Sequence, residues 1–220
     1  MARPPELSPA EDGPVAARPY HHGNLKASLI EAGLEALVHT EADELSLRQL
    51  AKDVGVSANA AYRHFEDKDA LLVALAAEGF RRFAQAQAQA ASGLLPAEAR
   101  LKASGRAYVQ FALAHPRLYR LMFQRLANLA HNPSLAQASL GGMAVLLESV
   151  SSLLQKPAQD EQVRVMAASC WGLVHGLSAL AQGGLLTVFE LPVDDLLDRA
   201  LAWPSAQAAE QAASAPADQA

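Results

Sequence analysis

Apolar residues recur at the spacing of one helix face along most of the chain. Val, Ile and Thr are sparse, and no stretch alternates in and out like a half-buried strand. The first such face predicts a helix over residues 22–39 and comprises Leu29, Ile30, Gly33, Leu34 and Leu37. Further helices are predicted over about residues 47–54, 58–64, 68–92, 97–115, 116–126, 134–155, 160–182 and 193–202. We therefore expect an all-α protein.

Single residues mark several helix starts and one turn. Ser46, Ser57 and Asp67 each stand directly before a helical stretch, where a side-chain oxygen can accept a backbone N–H of the first turn. Gly55 lies between the second and third helices and suits a left-handed backbone. Two short helices joined by such a turn predict a helix-turn-helix, whose second helix enters the major groove of DNA.

The second short helix is predicted to have a buried face and a DNA-facing side. Its core face would be Val56, Ala61 and Phe65. Small residues at Ala58 and Ala60 would let the backbone approach base edges closely. Its outward pairs, each four residues apart, are Asn59 with Arg63 and Ala60 with His64.

The remaining contacts follow from side-chain chemistry. Arg48 and Asn59 are suited to guanine and adenine, respectively, so base recognition would fall to them. Tyr62, His64 and Lys68 are suited to phosphate oxygens.

Net charge argues against this interpretation, because the chain carries a formal charge of −5. The balance reverses locally: between residues 46 and 64, the three bases Arg48, Lys52 and Arg63 outnumber the single acid Asp53, a net of +2. DNA binding must therefore rest on local placement of charge. A plain helical hairpin with a solvated polar face is the alternative.

Two stretches of the chain, YHHGNLKASLIEAGLEAL and LSLRQLAKDVGVSANAAYRHFEDKDALLVALA, resemble the DNA-binding domain of TetR/AcrR-family transcriptional regulators. The resemblance extends over residues 20–83. The segment CWGLVHGL, residues 170–177, is similar to the Trp…His-Gly (WHG) signature of a C-terminal domain in a subset of that family. The resemblance implies a homodimer, a double-stranded DNA operator, an effector-binding C-terminal domain and, usually, repression of nearby genes.

The resemblance also assigns roles position by position. Ser46 and Arg48 match the family's contacts at the start of the second helix. Arg63 is a common residue at its position. The base-facing positions correspond to Ala58, Asn59 and Ala60, and the phosphate-contacting positions to Tyr62, His64 and Lys68.

The predicted organisation has four parts. Residues 1–19 are rich in proline and acids, and residues 204–220 are an Ala/Gln/Ser mixture without periodicity, so both are predicted to be disordered. Residues 20–66 would form a three-helix helix-turn-helix DNA-binding domain. Residues 67–203 would form a helical bundle for effector binding and dimerisation.

The bundle is expected to enclose a cavity for a small apolar effector. The candidate lining residues are Phe111, Leu118, Met122, Phe123, Met143, Leu147, Trp171 and His175. Each has a simpler interpretation as a core residue, and Trp171 and His175, four residues apart, could instead face a partner subunit. Residues 165–189 contain no charged side chain, which fits a dimer seam better than a membrane span, because polar residues and a Gly-Gly pair interrupt the run.

Enzymatic function is not expected. Cys170 and His175 are five residues apart and therefore point in different directions from a helix, so they cannot form a nucleophile–base pair. The sequence shows no zinc-site spacing and no phosphate-binding glycine loop, so neither a metal nor a cofactor is predicted. One cysteine and no signal peptide predict a cytoplasmic location. A helical ligand-binding or scaffolding protein without specific DNA binding is the alternative function.

Overall fold

The computed structural model describes residues 24–93, 96–190, 195–196 and 198–202. Every regular element within these ranges is helical, which confirms the all-α prediction. The helices are α1 Leu25–Ala36, α2 Leu47–Asp53, α3 Ala58–Tyr62, α4 Lys68–Ala90, α5 Ala97–Ala114, α6 Pro116–Gln124, α7 Pro133–Leu154 and α8 Glu161–Gln182, with 3₁₀ helices at Arg125–His131 and Leu185–Phe189.

Parts of the chain with predicted structure lie outside the described residues. The predicted disordered segments 1–19 and 204–220 are wholly outside them. The predicted helix over residues 193–202 is described only at 195–196 and 198–202, and those residues are helical.

Four helices, α1, α3, α4 and α6, end two or three residues earlier than their sequence pattern predicts. The helix predicted to reach residue 39 ends at Ala36, and tighter hydrogen bonds close the turn that follows. The helix predicted to reach residue 64 ends at Tyr62. This early end lets the chain turn so that Phe65, only 2% exposed, enters the core.

The predicted caps are present. The side-chain oxygens of Ser46, Ser57 and Asp67 accept backbone N–H groups at 3.4, 3.2 and 2.8 Å, respectively. Gly55 has φ of 81°, a left-handed conformation that residues other than glycine rarely adopt. These local interactions fix where α2, α3 and α4 begin.

Helix α4 joins the N-terminal helices to the rest of the molecule. It packs against α1 on one side and against α5, α6 and α7 on the other. Its buried face repeats every four residues through Leu71, Leu75, Gly79, Phe83 and Gln87. A single hydrophobic core therefore includes residues from the N-terminal helices and from the bundle.

Helices α4 and α6 approach each other closely at Gly79. A Cβ atom at this position would lie 2.8 Å from the Met122 side chain and 2.9 Å from Leu118. Met122 is fully buried in this contact. The absence of a side chain at Gly79 thus sets the distance between the two helices.

Helices α7 and α8 leave much apolar surface outside the bundle. By length and composition alone each could cross a membrane, with mean hydropathy of 1.2 and 1.3 over an 18-residue window, of which 17% and 39% is buried. Both helices pack against α5 and against each other. Their outward side chains include Leu140 and Val165, which are 64% and 59% exposed.

Candidate DNA-binding surface and effector cavity

The core of the helix-turn-helix consists of small residues and one buried aromatic side chain. Ala51 of α2 and Ala61 of α3 are both fully buried where the two helices meet. Phe65 closes the same core from the turn after α3. Val56 is only half-buried, so the predicted inward face rests mainly on Ala61 and Phe65.

The predicted DNA-contacting side chains lie on an accessible surface. The exposed members of the set are Ser46, Arg48, Asn59, Tyr62, Arg63 and His64. Ala58 and Ala60 are half-buried at the start of α3, where they add little bulk beside the backbone. Their contacts with DNA stay predictions.

Lys68 has a structural contact besides its predicted one. It is half-buried at the start of α4, and its ammonium donates to the carbonyl oxygen of Asp43 in the turn between α1 and α2. This bond fixes the turn before α2 relative to α4. Lys26 of α1 lies 5.8 Å from the centre of the Phe65 ring, a cation–π contact that adds a second positive charge near α3.

A cavity of about 220 Å³ lies within the C-terminal bundle. Its wall is formed by α4, α5, α6, α7 and α8, together with the 3₁₀ helix after α6 and Leu201. Three of the predicted lining residues, Phe123, Met143 and Trp171, are on this wall. Whether they bind an effector remains a prediction.

The other predicted lining residues are not part of this wall. Met122 and Leu118 face α4, because the missing side chain of Gly79 leaves room for them there. Phe111 packs edge-on against Phe83 with ring centres 5.2 Å apart.

Leu147 and His175 are also not wall residues. Leu147 packs on a second hydrophobic cluster that includes Val150 and Val163. His175 is one turn beyond Trp171, and its ring hydrogen-bonds the hydroxyls of Tyr108 and Tyr119.

A buried polar cluster, Tyr108–Tyr119–His175, joins α5, α6 and α8. The two hydroxyl groups are 3.0 Å apart, and they lie 2.9 and 2.7 Å from Nδ1 of His175. Burial raises the pKa of both tyrosines, so their hydroxyls stay protonated and can donate. Burial lowers the pKa of His175, which favours a neutral ring with Nδ1 as acceptor.

Sequence reasoning missed the two tyrosines. Tyr108 lies seven residues after Leu101 and three before Phe111, and this apolar spacing is the signal that could have placed it inside. Tyr119 lies next to the buried Leu118 and is buried with it, which periodicity alone does not reveal.

Ion pairs connect α6 to the turn between α1 and α2. Arg117 Nε donates to Glu41 Oε1 and Arg120 Nη1 donates to Glu41 Oε2, both at 2.9 Å. Arg117 Nη1 also donates to the carbonyl oxygen of Val38 at 2.7 Å. These groups are partly exposed, so each pair contributes only about 0–1 kcal/mol to stability. Their main effect is to fix the N-terminal helices relative to α6.

Two sequence families match the chain over most of its length. Residues 29–75 match the domain described as bacterial regulatory proteins, tetR family. Residues 101–203 match the tetracyclin repressor-like C-terminal domain. The chain therefore belongs to the TetR family of transcriptional regulators. Members of this family are DNA-binding regulators and not enzymes, which confirms that part of the prediction.

Solved structures share the fold of this chain. A protein of unknown function from Rhodococcus sp. RHA1 is 34% identical with a TM-score of 0.75, and the match covers 87% of this chain and 98% of that one. A tetR-family transcriptional regulator from Streptomyces coelicolor is 20% identical, with a TM-score of 0.64 and coverage of 86% and 84%. A TetR-like transcriptional regulator from Rhodococcus sp. RHA1 is 18% identical, with a TM-score of 0.58 and coverage of 81% and 92%. The last two show the fold alone. No curated protein matches the chain.

The lowered pKa of His175 predicts a pH dependence of stability. The folded state binds the His175 proton less tightly than the unfolded chain, whose histidine has a pKa of 6.5. The free energy of unfolding should therefore be highest when the pH is above this unfolded-state pKa. It should decrease as the pH falls below that pKa. Urea denaturation at about pH 7.5 and about pH 5.5 measures this loss, which should be smaller in His175→Gln.

The exposed histidine His64 provides a matched control for this experiment. His64→Gln should lose as much stability on acidification as the unmodified protein. An equal loss in His175→Gln would show that His175 does not cause the effect.

Proposed function

We propose that this chain is a ligand-responsive regulator that binds a palindromic operator as a homodimer and represses transcription until a small effector releases it. The observation that carries the proposal is α3, whose accessible side combines half-buried alanines with exposed Asn59, Tyr62 and Arg63. The protein would act in the cytoplasm, which contains the DNA and in which its single cysteine would stay reduced.

On DNA, α3 would enter the major groove and α2 would cross beside it. Arg48, in the first turn of α2, would read a base edge together with Asn59. Tyr62, His64 and Lys68 would bind phosphates and fix the orientation of α3. In a dimer, the two copies of α3 would lie about 34–36 Å apart, one turn of DNA.

Two helices would carry the effect of an effector from the cavity to α3. Helix α4 starts at Lys68, directly after its cap Asp67 and the helix-turn-helix, and supplies Phe80 and Phe83 to the cavity wall. Helix α6 supplies Phe123 to the wall and holds Glu41 through its arginines. An effector that binds one arrangement of these helices better than another would change DNA affinity by that difference.

The outward face of α8 supports the proposed dimer. Ala168, Gly172 and Gly176 are exposed at four-residue spacing, between the larger apolar side chains of Val165 and Leu180. A Cβ atom at either glycine would meet nothing within 4 Å. This face would allow the same helix of a second copy to approach closely, as in a symmetric interface.

The DNA contacts are tested with the DNA upstream of the chain's own gene and with random DNA. Arg48→Ala should relax the preference for the specific sequence by roughly 1–3 kcal/mol, because it removes a base contact. Lys68→Ala should weaken binding to both DNAs about equally and reduce the salt dependence by about one ion, because it removes a phosphate contact. Fluorescence anisotropy at several salt concentrations measures both effects.

Two outcomes would count against the proposal. Equal effects of the two substitutions on specificity would refute the division between base and phosphate contacts. If the unmodified protein bound its upstream DNA no better than random DNA at moderate salt, the alternative would hold, namely a helical ligand-binding or scaffolding protein.

The dimer face is tested by Gly172→Gln. The single chain has room for this side chain, and replacing a glycine within a helix contributes up to about 1 kcal/mol to helix stability. Across the proposed interface, the same side chain would hold the two helices apart. Analytical ultracentrifugation should therefore show a dimer weakened about tenfold or more, with unchanged helix content by circular dichroism.

Ala88→Gln, on the exposed side of α4, is the matched control and should leave the dimer intact. A dimer that tolerates both substitutions equally would exclude this face of α8 as the interface.

A further inference from the structure

The cavity wall is apolar except for a few polar groups. These groups differ in how closely their hydrogen-bonding partners approach them. The hydroxyl of Tyr108 is engaged with Tyr119 and His175. The hydroxyl of Ser139 donates to the carbonyl oxygen of Ala136 at 2.9 Å. These two groups have partners within the protein at ordinary hydrogen-bond distances, so they are poorly placed to recognise a ligand.

The wall residues Gln87 and Ser104 have weaker hydrogen-bonding partners. Both are on the cavity wall, and they are only 4% and 3% exposed. Ser104 Oγ donates to Gln87 Oε1 at 3.4 Å, and Gln87 Nε2 donates to the carbonyl oxygen of Phe83 at 3.5 Å. Both distances are long compared with the usual values, about 2.7–2.8 Å for an O–H···O bond and about 2.9–3.0 Å for an N–H···O bond.

The amide of Gln87 therefore retains hydrogen-bonding capacity. A carboxamide NH₂ has two donors, and only one long hydrogen bond engages Nε2. A buried amide with weak partners lowers stability, and a ligand acceptor in the cavity would offset that cost.

The opposite helix leaves space beside this amide. A Cβ atom at Gly142 of α7 would lie 2.9 Å from Gln87 Nε2, closer than a side chain can approach without displacing the amide. Gly142 is itself on the cavity wall. The glycine thus keeps the N–H group of Gln87 at the cavity surface.

The charge and size of the cavity further restrict the kind of ligand that it can bind. None of the described wall residues is Asp, Glu, Lys, Arg or His, so a charged ligand would lose its hydration without an opposite charge to pair with. An apolar cavity of roughly 150 Å³ is large enough to bind benzene. A cavity of about 220 Å³ has room for a benzene-sized ring with a short substituent.

We infer that the cavity binds a small, neutral, largely apolar molecule that presents one hydrogen-bond acceptor, such as a ketone oxygen, to the Gln87 amide. The inference rests on the proposed function in taking this cavity as the effector site. It places the polar group of the effector on α4, the helix that begins at the helix-turn-helix.

Three molecules with the same number of heavy atoms test the inference: acetophenone, α-methylstyrene and benzoate. They present a neutral carbonyl, a hydrocarbon CH₂ and a carboxylate, respectively, at the same position of the same ring. Isothermal titration calorimetry should show acetophenone binding about tenfold more tightly than α-methylstyrene. That ratio corresponds to roughly 1.4 kcal/mol, within the range of one hydrogen bond. Benzoate should not bind measurably.

Substitution of the amide identifies the residue responsible. Gln87→Met keeps the length of the side chain and removes its hydrogen-bonding groups, so it should abolish the preference for acetophenone and leave the affinity for α-methylstyrene nearly unchanged. Gln85→Met makes the same change at an exposed position of α4 and should retain the preference.

Several results would overturn the inference. They are equal binding of acetophenone and α-methylstyrene, measurable binding of benzoate, a preference that survives in Gln87→Met, or no binding of any of the three. The titrations contain no DNA, so they are independent of the operator measurements. A protein that binds acetophenone through Gln87 but no specific DNA would refute the proposed function and leave the ligand inference intact.

Discussion

The contact between α4 and α6 at Gly79 is the constraint on which the rest of the structure depends. Because position 79 lacks a side chain, Met122 and Leu118 pack directly on α4, and Met122 is completely buried there. Close packing of this kind resists small displacements, so a shift of one helix must move the other or disrupt the core. The cavity wall and the anchor of the N-terminal helices at Glu41 are thereby connected through α6.

The polar groups inside the bundle divide into two sets with different consequences. Tyr108, Tyr119 and His175 bond to one another at 2.7–3.0 Å and hold α5, α6 and α8 together. Gln87 and Ser104 have only long hydrogen bonds and lie at the cavity surface. We interpret the first set as structural and the second as available to a ligand.

The sequence was a good guide to local structure and a poor one to the cavity. Caps such as Ser57 and the turn at Gly55 follow from interactions within a few residues, so they can be predicted from the sequence. Helical spacing shows that Met122 and Phe123 are neighbouring apolar residues. It does not show that Met122 packs against α4 whereas Phe123 borders the cavity. Gln87 continues the buried face of α4 by one turn beyond Phe83, and polarity alone made it resemble a surface residue. Which side chains border empty space depends on how all the helices pack together.

Hydrogen–deuterium exchange of the protein with and without its upstream DNA tests the central claim, that the DNA-binding surface and the cavity are coupled. Coupling between two sites is reciprocal, so DNA binding at α3 should alter the arrangement around the cavity. Such coupling predicts changed exchange protection in α6 and in the part of α4 near Phe83, as well as in α2 and α3. Changes confined to α1, α2, α3 and the first turn of α4 would contradict it.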